Sequence, residues 1–170
     1  MPTLFTHAVV PIAWRVATRR QPPSGRAVAA AIALTLLPDA DVIAFVLGIP
    51  YGSPFGHRGF THSVAFAAIA ALLAAIWLQP ARGRRGATVL FLFVAAVSHP
   101  LLDALTDGGL GVALLWPWSD ARWFAPWRPL SASPIGPGFF SRQGLAVIVS
   151  ELLWLWLPLA VLVTALRWRR

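Results

Sequence analysis

Five apolar stretches divide the chain, and short clusters of Pro, Gly or charged residues close each of them. They are Leu4–Ala17; residues 27–37, which halt at Pro38-Asp39-Ala40-Asp41 and resume over 42–49; Val64–Leu78; 88–105; and 145–166. Long apolar runs bounded by turn formers predict helices. Only the fifth reaches the roughly 20 residues that cross a bilayer. The others are short or carry polar residues near one end. Between them lie the turn Gln21-Pro22-Pro23-Ser24-Gly25, a Gly/Pro loop at 50–59 and a turn at 80–86. Residues 108–144 are non-helical in character and hold Trp116, Trp118, Trp123 and Trp127 among five prolines. The expected fold is all-α: a polytopic membrane bundle of about five helices, several short, with a long Trp/Pro-rich loop between helices four and five. Residues 1–170 read as one integral membrane domain. The first stretch does not read as a signal peptide, because its charge follows its apolar part and His7 and Pro11 interrupt it.

Composition supports the membrane assignment. Hydrophobic residues make up 58% of the 170 and charged residues 12%, against about 25% charged in soluble domains. The chain is too poor in polar residues to coat a soluble domain, which excludes an ordinary soluble enzyme and a disordered chain. The net charge is +8 and all fourteen basic residues are arginine. If the five stretches alternate across the membrane, Arg15, Arg19, Arg20, Arg26, Arg82, Arg84, Arg85, Arg167, Arg169 and Arg170 share one face. Arg58, Arg122, Arg128 and Arg142 fall on the other. The Arg-rich face is then cytoplasmic and the Trp-rich loop lies at the outer interface. Arginines placed at segment ends mark orientation, so no nucleic-acid partner is expected. The chain has no cysteine, hence no disulfide and no thiolate ligand.

The polar residues that remain carry the chemistry. Eight of the ten His, Asp and Glu residues fall in Thr6-His7, Pro38-Asp39-Ala40-Asp41, His57-Arg58-Gly59-Phe60-Thr61-His62, and Ser98-His99-Pro100-Leu101-Leu102-Asp103 running on to Asp107. Each motif ends an apolar stretch, always opposite the ten arginines. At about 1.5 Å rise per helical residue, His7, Asp39 and His99 all lie roughly 18–21 Å from the arginines of their own helices. They therefore share one depth. An Asp deep in a membrane helix costs about 2.5–3.5 kcal/mol on insertion scales, and Arg58 and Arg128 are too few to neutralise four of them. A divalent metal supplies the missing charge. Nitrogen and oxygen donors without sulfur suit Zn²⁺ first, with Mn²⁺ or Fe²⁺ as alternatives.

The candidate ligands are His7, Asp39, His57, His62, His99 and Asp103. Asp41 is a candidate general base or a carboxylate that orients a ligand. Asp107 is a helix cap or a ligand-orienting group as readily as a ligand. Glu151 reads as a helix-packing residue before an extra ligand, and Asp120 as a loop residue. Arg58 can hold an anion or pair with a carboxylate. A proton or metal-ion transporter is the rival reading. Against it, the apolar middle of the third stretch offers no polar track toward the Arg-rich end. A third reading is a non-catalytic membrane protein stapled by a structural metal.

These motifs, with Pro126-Trp127-Arg128-Pro129, resemble the family of membrane-bound, metal-dependent hydrolases. Its members are inner-membrane-associated bacterial and archaeal proteins, some described as LexA-regulated, with a suggested distant kinship to zinc-dependent phospholipase C. The resemblance covers most of the chain and rests chiefly on the HRGxTHS and SHxLLD pieces together. It implies a helical membrane protein with metal bound by His and Asp, in the cytoplasmic membrane. Combined with the residues, it leads to an expected activity. Water activated by a metal near the outer face attacks a phosphoester, lipid-like by location, with Arg58 and Arg128 stabilising the phosphoryl charge.

Overall fold

A computed structural model describes residues 1–134 and 136–168. Helix α1 spans Leu4–Ala17 and starts at Thr3, whose hydroxyl accepts the Thr6 N–H. Helix α2, Gly25–Leu36, is capped in the same way by Ser24. Such caps satisfy amides that the first helical turn leaves without partners. The chain then tightens into a 3-10 turn over Pro38–Val42 and continues as the short helix α3, Ile43–Val46. Gly48, at φ +68°, ends it.

Helix α4, Val64–Leu78, is capped by Ser63 and stops at a left-handed Gln79. A 3-10 turn over Arg82–Arg84 leads into α5, Arg85–Ala104. The last rod is α6, Arg142–Glu151, a π-helical turn over Leu152–Trp156, and α7, Leu157–Trp168. Among the described residues there is no extended strand. Two isolated bridges, Thr106 with Leu130 and Val112 with Trp123, tie the Trp/Pro loop to itself and to the end of α5.

The molecule is thus the helical membrane bundle expected. Three rods, not one, are long and apolar enough to cross a membrane: Gly25–Val46, Arg82–Ala104 and Arg142–Trp168. The reason is local. The Pro38 interruption keeps helical handedness through its 3-10 turn, so the second stretch continues as one rod. The fourth gains its first turns from the arginines at 82–85. Helical structure in the second rod ends at Val46, short of the expected 49, because Gly48 and the Ile49 amide, bonded to the Ala44 carbonyl, close it.

The packing core joins α2, α4 and α5 through small residues. Ala27 and Ala31 of α2 meet Ala67, Ala71 and Ala75 of α4 and Ala95 and Ala96 of α5, with Leu34, Phe91 and Leu92 filling the gaps. The large residues of α4, such as Leu73, Ile76 and Trp77, point outward. Lipid is as apolar as leucine, so hydrophobicity cannot choose the buried face in a membrane. Close approach at small residues chooses it instead. Ala71→Leu should therefore lower stability by about 1–3 kcal/mol through overpacking. Ile69→Leu, on the lipid side, should leave it unchanged; thermal unfolding in detergent would compare the two.

Arginines from several helices meet at one end. Arg15 donates to the Pro23 carbonyl, and Arg84 donates to the Gln21 and Pro22 carbonyls at 2.7 and 2.8 Å. Arg167 on the last helix reaches the Val16 carbonyl at 3.0 Å. Arg169 and Arg170 lie outside the described residues. At the opposite end the Trp/Pro loop folds over the bundle. Its Ala125 and Leu130 amides bond to the Ala104 and Leu105 carbonyls, and the Ser133 amide to Met1.

Candidate metal centre

Three elements aim side chains at one point beneath that loop. The 3-10 turn after α2 turns Asp39 and Asp41 inward. The 3-10 turn before α4 carries His62. One face of α5 carries His99 and Asp103, four residues apart and hence stacked one turn above the other. His62, His99 and Asp103 are fully buried and Asp39 is 7% exposed.

Their donor atoms converge. His62 Nε2 lies 3.0 Å from His99 Nε2. Asp39 Oδ1 is 3.8 Å from His62 Nε2 and 3.5 Å from His99 Nε2. Asp103 Oδ2 is 3.4 Å and 4.0 Å from the same two nitrogens. All four donor atoms lie within 4.8 Å of one another.

The hydrogen bonds behind them fix the chemistry. His99 Nδ1 faces the Thr35 carbonyl at 2.6 Å, and a carbonyl only accepts, so that nitrogen carries the proton. His62 Nδ1 lies 3.2 Å from Asp41 Oδ2 and 3.0 Å from the Thr61 hydroxyl. That hydroxyl donates its one proton to Asp41 at 2.6 Å, so His62 Nδ1 is also the donor. In the neutral ring the other nitrogen is then a lone pair. Two lone pairs and two carboxylate oxygens point at one place, which is the donor set and tautomer pattern of a metal-binding group.

The unsatisfied atoms agree. Among the described residues, the buried side-chain atoms without a hydrogen bond are both nitrogens of His7, both oxygens of Asp39 and of Asp103, and Arg58 Nε. Each such group costs about 1–3 kcal/mol when left bare, and all of them surround this one centre. Arg58 Nε is 3.0 Å from Asp103 Oδ2, an ion pair although the N–H is not aligned for a hydrogen bond. The buried His/Asp group can hold a metal ion.

The other predicted residues take distinct places. His7 stacks on His99 with ring centroids 3.9 Å apart, its Nε2 3.8 Å from Asp103 Oδ1. It is beside the four converging donors, not among them. His57 sits on the far side of Asp41, which it meets through Nδ1 at 2.5 Å. With Asp41 and His62 it forms a second group of three. Asp41 also accepts the Arg58 amide at 3.1 Å. Its oxygens therefore hold two imidazoles, a hydroxyl and a backbone amide in register.

Arg58 is almost wholly buried and bonds the Gly108 carbonyl at 2.8 Å and the Thr106 hydroxyl at 3.1 Å. Its backbone is left-handed, at φ +62°, a conformation that costs an L-residue about 1–2 kcal/mol. Gly109 makes room beside it, since a Cβ there would come within 2.8 Å of the guanidinium. Arg128 is not gathered in. It is exposed and lies over the Phe124 ring at 4.7 Å. Asp107 is exposed as well, accepting the Ala132 amide at 2.8 Å to anchor the loop.

Glu151 has a packing role. It accepts the Thr3 amide at 2.5 Å and the Thr3 and Thr6 hydroxyls at 2.6 and 2.7 Å. The Trp156 indole then donates to Thr6 at 2.7 Å. Residues five apart diverge by about 140° on an α-helix. The π-turn at Leu152–Trp156 brings Glu151 and Trp156 to the same face, so the last rod grips the first turn of α1 just before His7.

Sequence reasoning missed the supporting threonines, although a signal was present: Thr precedes His in both Thr6-His7 and Thr61-His62. It also missed Arg122, for which no local signal exists. That guanidinium bonds the carbonyls of Tyr51, Ser53 and His57 at 2.9–3.0 Å and so shapes the loop that carries His57 and Arg58. Partial burial pulls its pKa below the usual value.

Comparison with known proteins finds relatives of this chain. Inner membrane protein YbcI of Escherichia coli K12 is 45% identical over 175 residues, covering all of this chain and 99% of that protein. Inner membrane protein YdjM of the same strain is 40% identical over 110 residues, 56% of this chain and 50% of that protein. YdjM of Shigella flexneri matches to the same extent. No solved structure matches. The family model described as YdjM inner membrane protein matches residues 1–169. With that match over nearly the whole length, and with three rods that fit a multi-pass protein, the chain belongs to the YdjM family of inner membrane proteins.

Proposed function

We propose that this protein is a metal-dependent hydrolase whose site, at the outer side of the membrane, cleaves a phosphoester of a lipid-like substrate. The observation that carries the reading is the convergence of His62, His99, Asp39 and Asp103. Donors about 2.0–2.1 Å from a tetrahedral ion stand about 3.3 Å from one another. The five separations given above run from 3.0 to 4.0 Å. Zn²⁺ suits that spacing and donor set best, with Mn²⁺ or Fe²⁺ as alternatives. The outer-side assignment follows from the arginines gathered at the opposite end.

A bound divalent cation would supply Lewis acidity and, with three of the four donors bound or with a fifth ligand accepted, would lower the pKa of a coordinated water toward about 7. The chain's own residues do the rest. Asp41 holds His57 and His62 in orientation. Arg58 neutralises Asp103 and keeps its carboxylate in place. In the hydrolysis, a water oxygen bonds to phosphorus, the ester P–O bond breaks, and the leaving oxygen takes a proton. His7, with neither ring nitrogen hydrogen-bonded, is the proton carrier best placed beside Asp103.

A structural metal is the second reading. Four protein donors around one ion are the usual closed arrangement of structural zinc. The test is elemental analysis of the detergent-purified protein together with a phosphoester hydrolysis screen, run beside Asp39→Asn. About one equivalent of metal with hydrolysis that Asp39→Asn lowers by about 10²-fold or more supports the hydrolase. Metal without hydrolysis supports the staple. No metal after metal-replete growth without chelator overturns both.

A further inference from the structure

The donor atoms of the centre are buried, the Asp39 oxygens included, and the side on which the Asp39 residue itself reaches the surface has a definite chemistry. Of the four converging residues only Asp39 retains exposure. Asp39 also lines a cavity of about 410 Å³ between the start of α1, the 3-10 turn after α2 and the segment around Phe139. That volume lies in the range of ligand pockets, roughly 300–1,000 Å³. Leu4, Phe5, Val42, Pro134 and Phe139 form its apolar walls.

The polar side chains of the wall are already engaged. The Thr3 hydroxyl donates to Glu151, and the Ser133 hydroxyl to the Pro134 carbonyl. The Asp39 carboxylate has no hydrogen-bond partner. An occupant therefore meets mostly apolar surface, with Asp39 and the Met1 α-amino group, which lies near Asp39 and Asp103, as the charged groups of the wall. The mouth points the same way. Leu4 and Phe5 are half or more exposed, and Phe140, beside the wall residue Phe139, is the most exposed large hydrophobic residue described. With the site at the outer side of the membrane, these exposed apolar residues lie at the bilayer boundary, where such side chains contact lipid.

We propose that this cavity seats the acyl chain of a membrane glycerophospholipid, entering from the bilayer past Leu4 and Phe5, with its headgroup brought to Asp39. The proposal deepens the hydrolase reading and rests on it for the chemistry, while the seat itself is tested separately.

The test is photolabelling of the full-length protein in lipid nanodiscs with a phosphatidylglycerol that carries a diazirine in one acyl chain. Adducts are mapped by mass spectrometry and bound metal is measured on the same samples. Labelling should fall on residues 1–5, 133–134 and 136–139. Val42→Trp, which fills the cavity, should reduce it about tenfold or more, the scale of lost fit in an apolar pocket, with bound metal unchanged. Leu4→Trp narrows the mouth at a half-exposed position. It should reduce labelling likewise, and it carries the test if Val42→Trp fails to elute as a folded species.

Labelling confined to the outer faces of α4 and α7, or unchanged in both variants, overturns the acyl seat. Metal content and hydrolysis would then still stand. Cavity-specific labelling in a protein that holds no metal keeps the seat and removes the hydrolase reading.

Discussion

On the proposed reading, in which His62, His99, Asp39 and Asp103 hold one metal ion, His99→Ala/Asp103→Ala should lower bound metal from about one equivalent to background, because half of a four-donor set is removed at once. The pair occupies one face of α5, and both residues are fully buried; His7, stacked on His99 with both ring nitrogens free of hydrogen bonds, is the neighbour that could offer a replacement donor. The loss should also appear as stability. A ligand present at about a thousand times its dissociation constant contributes about 4 kcal/mol, which for a chain of this size corresponds to a fall of roughly 10 °C in the thermal midpoint. Elemental analysis and unfolding with and without added Zn²⁺ check both parts. A double variant that keeps its metal would exclude these residues as ligands. One that loses the metal but keeps the added-Zn²⁺ stabilisation would place the binding elsewhere.

Arg58 should produce the second large effect, and the backbone allows its causes to be separated. The guanidinium meets Asp103, the Gly108 carbonyl and the Thr106 hydroxyl at once. Removing one partner of a buried ion pair costs about 3–5 kcal/mol, because the other charge is left bare. Arg58→Lys should recover little of this, since a single ammonium cannot reproduce a three-way fork. Arg58→Ala carries a further cost of about 1 kcal/mol or more at φ +62°. Arg58→Gly avoids that cost and isolates the side chain. Chemical or thermal unfolding should rank the variants as native, then Lys and Gly, with Ala least stable. Adding Asp103→Asn to Arg58→Gly should return part of the loss by removing the uncompensated charge. If Arg58→Gly unfolds like the native protein, the ion pair contributes nothing to stability.

Family membership leaves the chemistry to be carried by the site. YbcI and YdjM are named as inner membrane proteins, and the similarity covers the whole chain for YbcI and about half of it for YdjM. The hydrolase reading instead rests on four donors, two of them with tautomers set by Thr35 and Asp41. A fold can host many activities, and function has to be argued from the site.

The sequence by itself determined what depends on local composition and on distance along a helix. The apolar stretches Leu4–Ala17 and Val64–Leu78 became helices with those same limits, because Thr3 and Ser63 cap them and the apolar run continues past Thr6, His7 and Pro11 in the first and without a polar residue in the second. Arginines at alternate turns and His/Asp motifs at the opposite ends also dictated the common depth of the polar layer, since rise per residue is nearly constant.

Only the tertiary structure decided rotation. Neighbouring residues point about 100° apart around a helix, so depth alone cannot say which side chains face one another. Packing settled it. Small alanines pulled α2, α4 and α5 together, and that orientation turned His62, His99, Asp39 and Asp103 onto one point. It left His7 stacked alongside, His57 behind Asp41, and Arg128 out on Phe124. Glu151 found its threonines through a π-turn, and Arg122 found the loop it clamps across some 65–71 residues of sequence. Contacts of that range are set by the closing of the bundle, and no local pattern in the chain encodes them.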